Sequence, residues 1–294
     1  MKKVPITLAT LSVSILLQSP PLLADGHNMT EQTENEIVMA VMKVHRTQKP
    51  MAYITHTFGE LSIDEAYEVQ EKLDNRLARH YGPKSGFKVG YASKAAQKQF
   101  GVKEPARGSY FLKQRLASGQ RIPSDAFMNL MLETEVAFTI DKAIPKPLKS
   151  ITELKSYIRY VHPALDVGDF RFVMEGPKGV AQDMIASGTG AHLFVVGPGM
   201  KMKEDDIHTD QLTLKLSKDG EKINASPSSE VMGDPLESCL WCVNDVLKRG
   251  GRITPGMIIL TGTAAPAFRG SGDAIKGDYV GDCGPLGKVK LTIE

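Results

Sequence analysis

The segment Leu132-Glu133-Thr134-Glu135-Val136-Ala137-Phe138 sets two carboxylates two residues apart inside an apolar run. Read as a strand, it puts Leu132, Thr134, Val136 and Phe138 on one face. Glu133 and Glu135 then share the other, roughly 6.5–7 Å apart along the backbone. Two carboxylates so placed repel each other unless a cation lies between them. The pair is therefore either a cation-binding face or a solvated strand face carrying two acids. Asp166 ends the short run Pro163-Ala164-Leu165, where a carboxylate is out of place without a partner. Lys88 is the one charged residue of Gly86-Phe87-Lys88-Val89-Gly90 and lies opposite Phe87, Val89 and Tyr91. Its flanking glycines permit close approach of backbone or ligand. It is either an active-site cation or an outward-pointing lysine on an edge strand. His45, His56 and His192 are candidate general bases, with structural roles as the alternative. Cys239 and Cys242 form a C-x-x-C within a helical stretch and lack a second pair, which favours core packing over zinc or redox chemistry.

Elements able to position these residues can be read on either side of them. Ile37, Val38, Val41 and Met42 fall at helical spacing between about Glu31 and Thr47. Ser62 and Glu65 form a capping box, followed by Ala66, Val69, Leu73 and Leu77 and a natural stop at Gly82. Gly86 to Tyr91 alternates as a strand, and a short helix runs from Ser93 to near Gly101. Strand-like stretches recur at Leu130–Ile140, Leu165–Val167, His192–Gly197, Leu212–Ser217, Met257–Thr261, Tyr279–Val280 and Lys288–Ile293. Asp219-Gly220 is a hairpin turn, and Asp234-Pro235 opens a helix that stops at Gly250-Gly251. Helices in front and many strands behind predict an α+β domain with a large, mostly antiparallel or mixed β core. The absence of βαβ alternation counts against Rossmann and TIM architectures.

The 294 residues carry 36 Lys+Arg against 34 Asp+Glu, a formal charge of +2. That balance argues against a dedicated nucleic-acid binder and against general disorder. Both surplus charges are Lys2 and Lys3, which precede the apolar run Ile6–Leu17, the Pro20-Pro21 break and Leu22-Leu23-Ala24. This is the anatomy of a signal peptide over residues 1–24. The apolar run is shorter than the roughly 20 residues of a membrane span. The expected location is the periplasm or the exterior, or the cytoplasm if Met29 is the true start. Residues 25–50 are predicted to be an N-terminal helical segment, and 51–294 a single catalytic domain.

Four blocks carry a wider resemblance: GFKVGYASKAAQKQFGV from Gly86, LMLETEVAFTI from Leu130, PALDV from Pro163 and IILTGTAAP from Ile258. In that order they resemble the 2-keto-4-pentenoate hydratase / 4-oxalocrotonate decarboxylase group of the fumarylacetoacetate hydrolase superfamily. The likeness runs from about Ala52 to the C-terminus. It implies a mixed β-sheet roll behind N-terminal helices, a homo-oligomer, and one Mg²⁺ or Mn²⁺ ion. The implied metal ligands are Glu133, Glu135 and Asp166, and the implied catalytic lysine is Lys88. Ser229, in a segment resembling S-E-x-x-G-x-P, and Thr261, Gly262 and Thr263 are implied substrate contacts.

The resemblance also implies a reaction. A 2-oxo acid would chelate the ion, which stabilises an enolate as a Lewis acid, while Lys88 moves protons. The leading expectation is a hydratase of a short 2-hydroxydienoic or 2-oxo acid such as 2-hydroxypenta-2,4-dienoate. The alternatives are a decarboxylase of a 2-oxo dicarboxylic acid, an acylpyruvate-type C–C hydrolase, and an exported non-catalytic small-acid binder. Three features depart from the pattern. Asp166 stands where hydratases more often have Glu. Ala186-Ser187-Gly188 replaces a usual A-D-N, and Ser226-Pro227-Ser228 replaces a G-R-G.

Overall fold

The computed structural model describes residues 29–174, 179–202 and 207–294. The proposed signal peptide lies outside them. The helices are α1 (Glu31–Thr47), α2 (Ile54–Phe58), α3 (Ile63–Tyr81), α4 (Lys94–Phe100), α5 (Ile151–Lys155), α6 (Ala181–Ala186) and α7 (Pro235–Lys248). The first strands are β1 (Lys84–Gly90), β2 (Ala106–Phe111), β3 (Arg115–Ala117), β4 (Gln120–Ile122), β5 (Leu130–Ile140), β6 (Ile158–Asp169) and β7 (Leu193–Val196). The later ones are β8 (Met200–Lys201), β9 (Thr213–Lys218), β10 (Glu221–Pro227), β11 (Ile258–Leu260), β12 (Phe268–Gly270), β13 (Gly277–Asp282) and β14 (Lys288–Ile293).

Nine strands form a mixed sheet in the order β2-β1-β11-β5-β6-β7-β3, with β12 on β5 and β8 on β6. A second sheet runs β10-β9-β13-β14-β4. The pairings β1–β11, β3–β7 and β4–β14 are parallel and the others antiparallel, as the predicted mixed core requires. Local chemistry accounts for the elements. The capping box of Ser62 and Glu65 starts α3, Asp234 caps α7 with Pro235 at its first position, and Thr30 caps α1. Asp219 and Gly220, both at positive φ, turn β9 into β10.

The apolar face of β5 spans two parts of the core. Leu130 and Leu132 pack with Tyr279, Val289 and Leu291 of the second sheet, whereas Val136 and Phe138 join Phe87, Val89 and the cysteine face of α7. Each such fully buried large apolar side chain stabilises the fold by about 1.5–3 kcal/mol. α1 and α3 form a third layer with α6, and that layer covers the edge strand β2, all six of whose residues are buried.

Two expectations change. Strand β6 is twelve residues long, far beyond Leu165–Val167, because Pro163 sits inside it. Proline is tolerated there since β7 pairs from Ala164 onward and β8 up to Val161, so no ladder hydrogen bond is needed at Pro163 on that edge. Tyr91 does not share the face of Phe87 and Val89. It follows the end of β1 at φ +55°, and its ring packs on the helical layer instead. Among the described residues no helix is long and apolar enough to cross a membrane.

Candidate metal and active site

In the β5–β6 ladder Glu133 lies directly opposite Asp166, and Glu135 is two residues along on the same face. Carboxylate oxygens of all three lie within 4.8 Å of one another. Glu135 is fully buried, Asp166 nearly so and Glu133 half-buried, so this is not a solvated strand face.

The site occupies a break in the sheet. β11 pairs with residues 137–139 of β5 and β12 with residues 130–132, along the same edge. Between them residues 261–267 leave the ladder beside Glu133 and Glu135. At the start of this excursion the Thr261 amide and hydroxyl both donate to the Val136 carbonyl, at 3.1 and 2.8 Å. The Gly262 amide then donates to Glu135 Oε2 at 2.6 Å. Gly262 has φ +84°, and a Cβ there would fall 2.5 Å from Ala92 Cβ and 2.8 Å from the Val89 carbonyl. Glycine is the residue that can present this amide.

Lys88 lies on an interior strand, between β2 and β11, and is 4% exposed. It is thus no edge lysine, and its Nζ is ion-paired with Asp166 Oδ2. Tyr110, fully buried on the neighbouring strand, donates its hydroxyl to Asp166 Oδ1 at 2.5 Å, and its ring lies 4.4 Å from that of Phe194. Gly86, directly across from Tyr110, lets β1 approach β11: a Cβ there would lie 1.8 Å from the Ile258 carbonyl oxygen.

Burial dominates the electrostatics. It pushes the Glu133 carboxyl up to about 7, against the pull of Lys88 and with the help of Asp166. Burial, with Asp166 and Glu133 adding repulsion, raises Glu135 further above the usual carboxylate range. Burial alone would lower Lys88, yet Asp166, Glu133 and Glu135 together outweigh it and raise the ammonium instead. Burial, reinforced by Asp166, holds Tyr110 as a protonated donor.

Three acids against one lysine leave two negative charges to be matched. Glu135 Oε1 is buried and has no hydrogen-bond partner among the described residues. An orphaned buried carboxylate oxygen within a trio of hard donors fits a divalent cation such as Mg²⁺ or Mn²⁺.

The other sequence candidates are less central. Thr261 directs its hydroxyl to backbone and thereby positions Gly262, while half-buried Thr263 accepts from the Ala265 amide at 3.3 Å. Ser229 is exposed on a short turn after β10, and its buried neighbour Ser228 accepts from the Leu212 amide. His45 and His192 lie near Arg171, and His56 packs against the Tyr53 ring at 5.3 Å. Among the described residues none of these three has a contact with the carboxylate trio. Cys239, Cys242 and Cys283 are free and buried, and burial lifts the Cys242 thiol to about 12. The Ser187 hydroxyl donates to the Met184 carbonyl, within the segment that departs from A-D-N.

Sequence reasoning missed Tyr110 and Arg269. No local motif marks either one. Only the register brings them in: Tyr110 through β1–β2, and Arg269 through β12–β5, where it stands opposite Met131.

Fold and site together define an α+β enzyme built around a buried carboxylate trio with an adjoining lysine. The chain belongs to the fumarylacetoacetate hydrolase family, whose C-terminal domain pattern matches residues 86–293. It is 24% identical over 268 residues to a 2-keto-4-pentenoate hydratase of Paraburkholderia xenovorans (strain LB400), spanning 90% of this chain and 97% of the relative. It is 27% identical over 256 residues to a 4-oxalocrotonate decarboxylase of Pseudomonas putida, 86% of this chain and 92% of that one. In fold it resembles the 4-oxalocrotonate decarboxylase of Pseudomonas putida G7 complexed with magnesium and adipate. That likeness has a TM-score of 0.81 at 22% identity and covers 92% of this chain and 100% of the other. The protein is an enzyme, and lyase chemistry is consistent with these relatives.

Proposed function

We propose that the protein is a divalent-metal-dependent lyase acting on a short 2-oxo acid or its 2-hydroxydienoate enol, with hydration as the leading reaction. The observation that carries this is the buried trio Glu133, Glu135 and Asp166, with Glu135 Oε1 unpartnered and Lys88 against Asp166. Magnesium in the decarboxylase of similar fold supports a divalent ion, with Mg²⁺ or Mn²⁺ the proposed occupant. When bound, such an ion supplies Lewis-acid stabilisation of negative charge developing at a 2-oxo group.

The chain's own residues do the rest. Glu133, Glu135 and Asp166 would hold the ion, and the Gly262 amide keeps Glu135 in place through Oε2. Tyr110 fixes Asp166 from the opposite side of its carboxylate. With two of the acids' three charges offset by a divalent ion, the upward pull on Lys88, against which burial already acts, is weakened. Lys88, beside Asp166, can relay the proton of the substrate's 2-hydroxyl to the terminal carbon of the diene, leaving an enone across which water adds.

The test is turnover of 2-hydroxypenta-2,4-dienoate by the purified protein supplied with Mg²⁺ or Mn²⁺, followed by loss of the dienol absorbance. Conversion that vanishes in Lys88→Met and Glu135→Ala is expected. Cleavage of acylpyruvates with the dienol left untouched would overturn the lyase assignment in favour of hydrolysis.

A further inference from the structure

Arg269, whose charge acts on Glu133, has no part in the proposed lyase chemistry. It stands on β12 directly opposite Met131 of β5. Residues opposite each other in an antiparallel pair project to the same face, and side chains on a strand alternate. Arg269 therefore shares the face of Met131, Glu133 and Glu135. It is exposed, whereas Glu135 and Asp166 are buried, so it lies outward of them on that face.

Its surroundings suit a ligand better than a protein partner. Among the described residues the Arg269 side chain makes no ion pair and no hydrogen bond, and its guanidinium carbon lies 5.8 Å from the centre of the Phe170 ring. It borders a cleft of about 200 Å³ lined also by Asn129, Met174 and Ser271. Its positive charge is nonetheless felt at Glu133 and at Tyr91. Once a divalent ion and Lys88 balance the three acids, Arg269 remains as an unmatched cation.

We propose that Arg269 binds a distal carboxylate of the substrate, so that a 2-oxo dicarboxylate is preferred over a monocarboxylate of equal length. The inference rests on the lyase reading for the position of the reacting end, and it applies to hydration and decarboxylation alike. The 2-oxo end enters first, toward the buried trio, which leaves the far end at the mouth. The lengths agree. Met131 and Glu133 are separated by about 6.5–7 Å along β5. A six-carbon diacid built from ~1.5 Å carbon–carbon bonds spans about 6 Å between its carboxyl carbons. A guanidinium presents its donors in a fork that matches a carboxylate, which a lysine at this place would not.

The test titrates adipate and hexanoate, unreactive acids of equal length, into the full chain loaded with Mg²⁺, using calorimetry. The wild type is expected to bind adipate at least about tenfold more tightly than hexanoate, the effect of one charge-assisted pair. Arg269→Met should erase that preference and leave hexanoate and Mg²⁺ affinities unchanged, and Arg269→Lys should restore part of it. Equal binding of the two acids by the wild type, or a preference that survives Arg269→Met, overturns the proposal. A preference that depends on Arg269 without turnover of any 2-oxo acid supports this assignment and removes the lyase reading, so the two stand or fall separately.

Discussion

The two faces of β5 are made from one stretch of chain and serve opposite ends. Leu132, Val136 and Phe138 are fully buried among apolar partners on one side. Glu133 and Glu135 face Asp166 on the other, in an environment that penalises their charge. The apolar face lowers the free energy of the fold. The acidic face raises it, since like charges opposite one another across a ladder are destabilising. A strand tolerates the second because the first is well packed on both the second sheet and α7.

The largest effect should come from breaking the acidic face. Glu135→Gln is expected to weaken divalent-metal affinity by more than about 100-fold, because a carboxylate ligand and its orphaned oxygen are lost together. The metal-free variant should unfold at the same temperature as the metal-free wild type or higher, since a buried repulsion has gone. Calorimetric titration and thermal unfolding measure the two halves, and a clear loss of metal-free stability would contradict the division of labour. Leu132→Ala is the mirror experiment. It should destabilise by about 2–5 kcal/mol in denaturant titrations while the folded fraction keeps its metal affinity. Gly262→Ala lies between the faces, with an expected loss of about 1–3 kcal/mol from the positive φ and the clash at Ala92. Metal binding should weaken as well, as the amide on Glu135 shifts.

The smallest effect concerns acid stability. Burial lowers His192 to about 4, with Arg171 adding to it and Asp169 opposing. The unfolded residue titrates near 6.5, so its neutral form is favoured in the fold. The associated stability is complete above that value and is lost as pH falls toward 4, on the order of 1–3 kcal/mol. Thermal unfolding between pH 7 and 4 should show a shallower decline for His192→Gln. An unchanged slope would mean that the strain of buried polar groups is confined to the metal site.

Much of this was legible in the sequence, for local reasons. The strand Leu130–Ile140 was read with its observed ends because its acids and its apolar residues alternate without exception where it matters. Helix α1 announced itself by the spacing of Ile37, Val38, Val41 and Met42, and α3 and α7 by the Ser62–Glu65 box and Asp234-Pro235. The trio and Lys88 were legible as residue types, with their grouping implied by family resemblance. What escaped was set by pairing between distant strands. Tyr110 and Arg269 become part of the site only through register, and Pro163 concealed most of β6 because its missing donor falls in a gap that no local pattern reveals. Thr261 looked like a substrate contact, yet its hydroxyl completes a hydrogen bond to Val136.

The break in the sheet between β11 and β12 has a bearing on the order of folding. The β5–β6 pair joins strands close in sequence, whereas Gly262 reaches it only when β11, from the far end of the chain, pairs with β5, and Lys88 only when β1 pairs in parallel with β11. Local pairs close early and long-range parallel ones late. The acidic hairpin is therefore expected to form while its carboxylates are still hydrated, and to receive its lysine and its amide last. Refolding should show Glu135→Gln accelerating the late phase, the one in which charge must leave water.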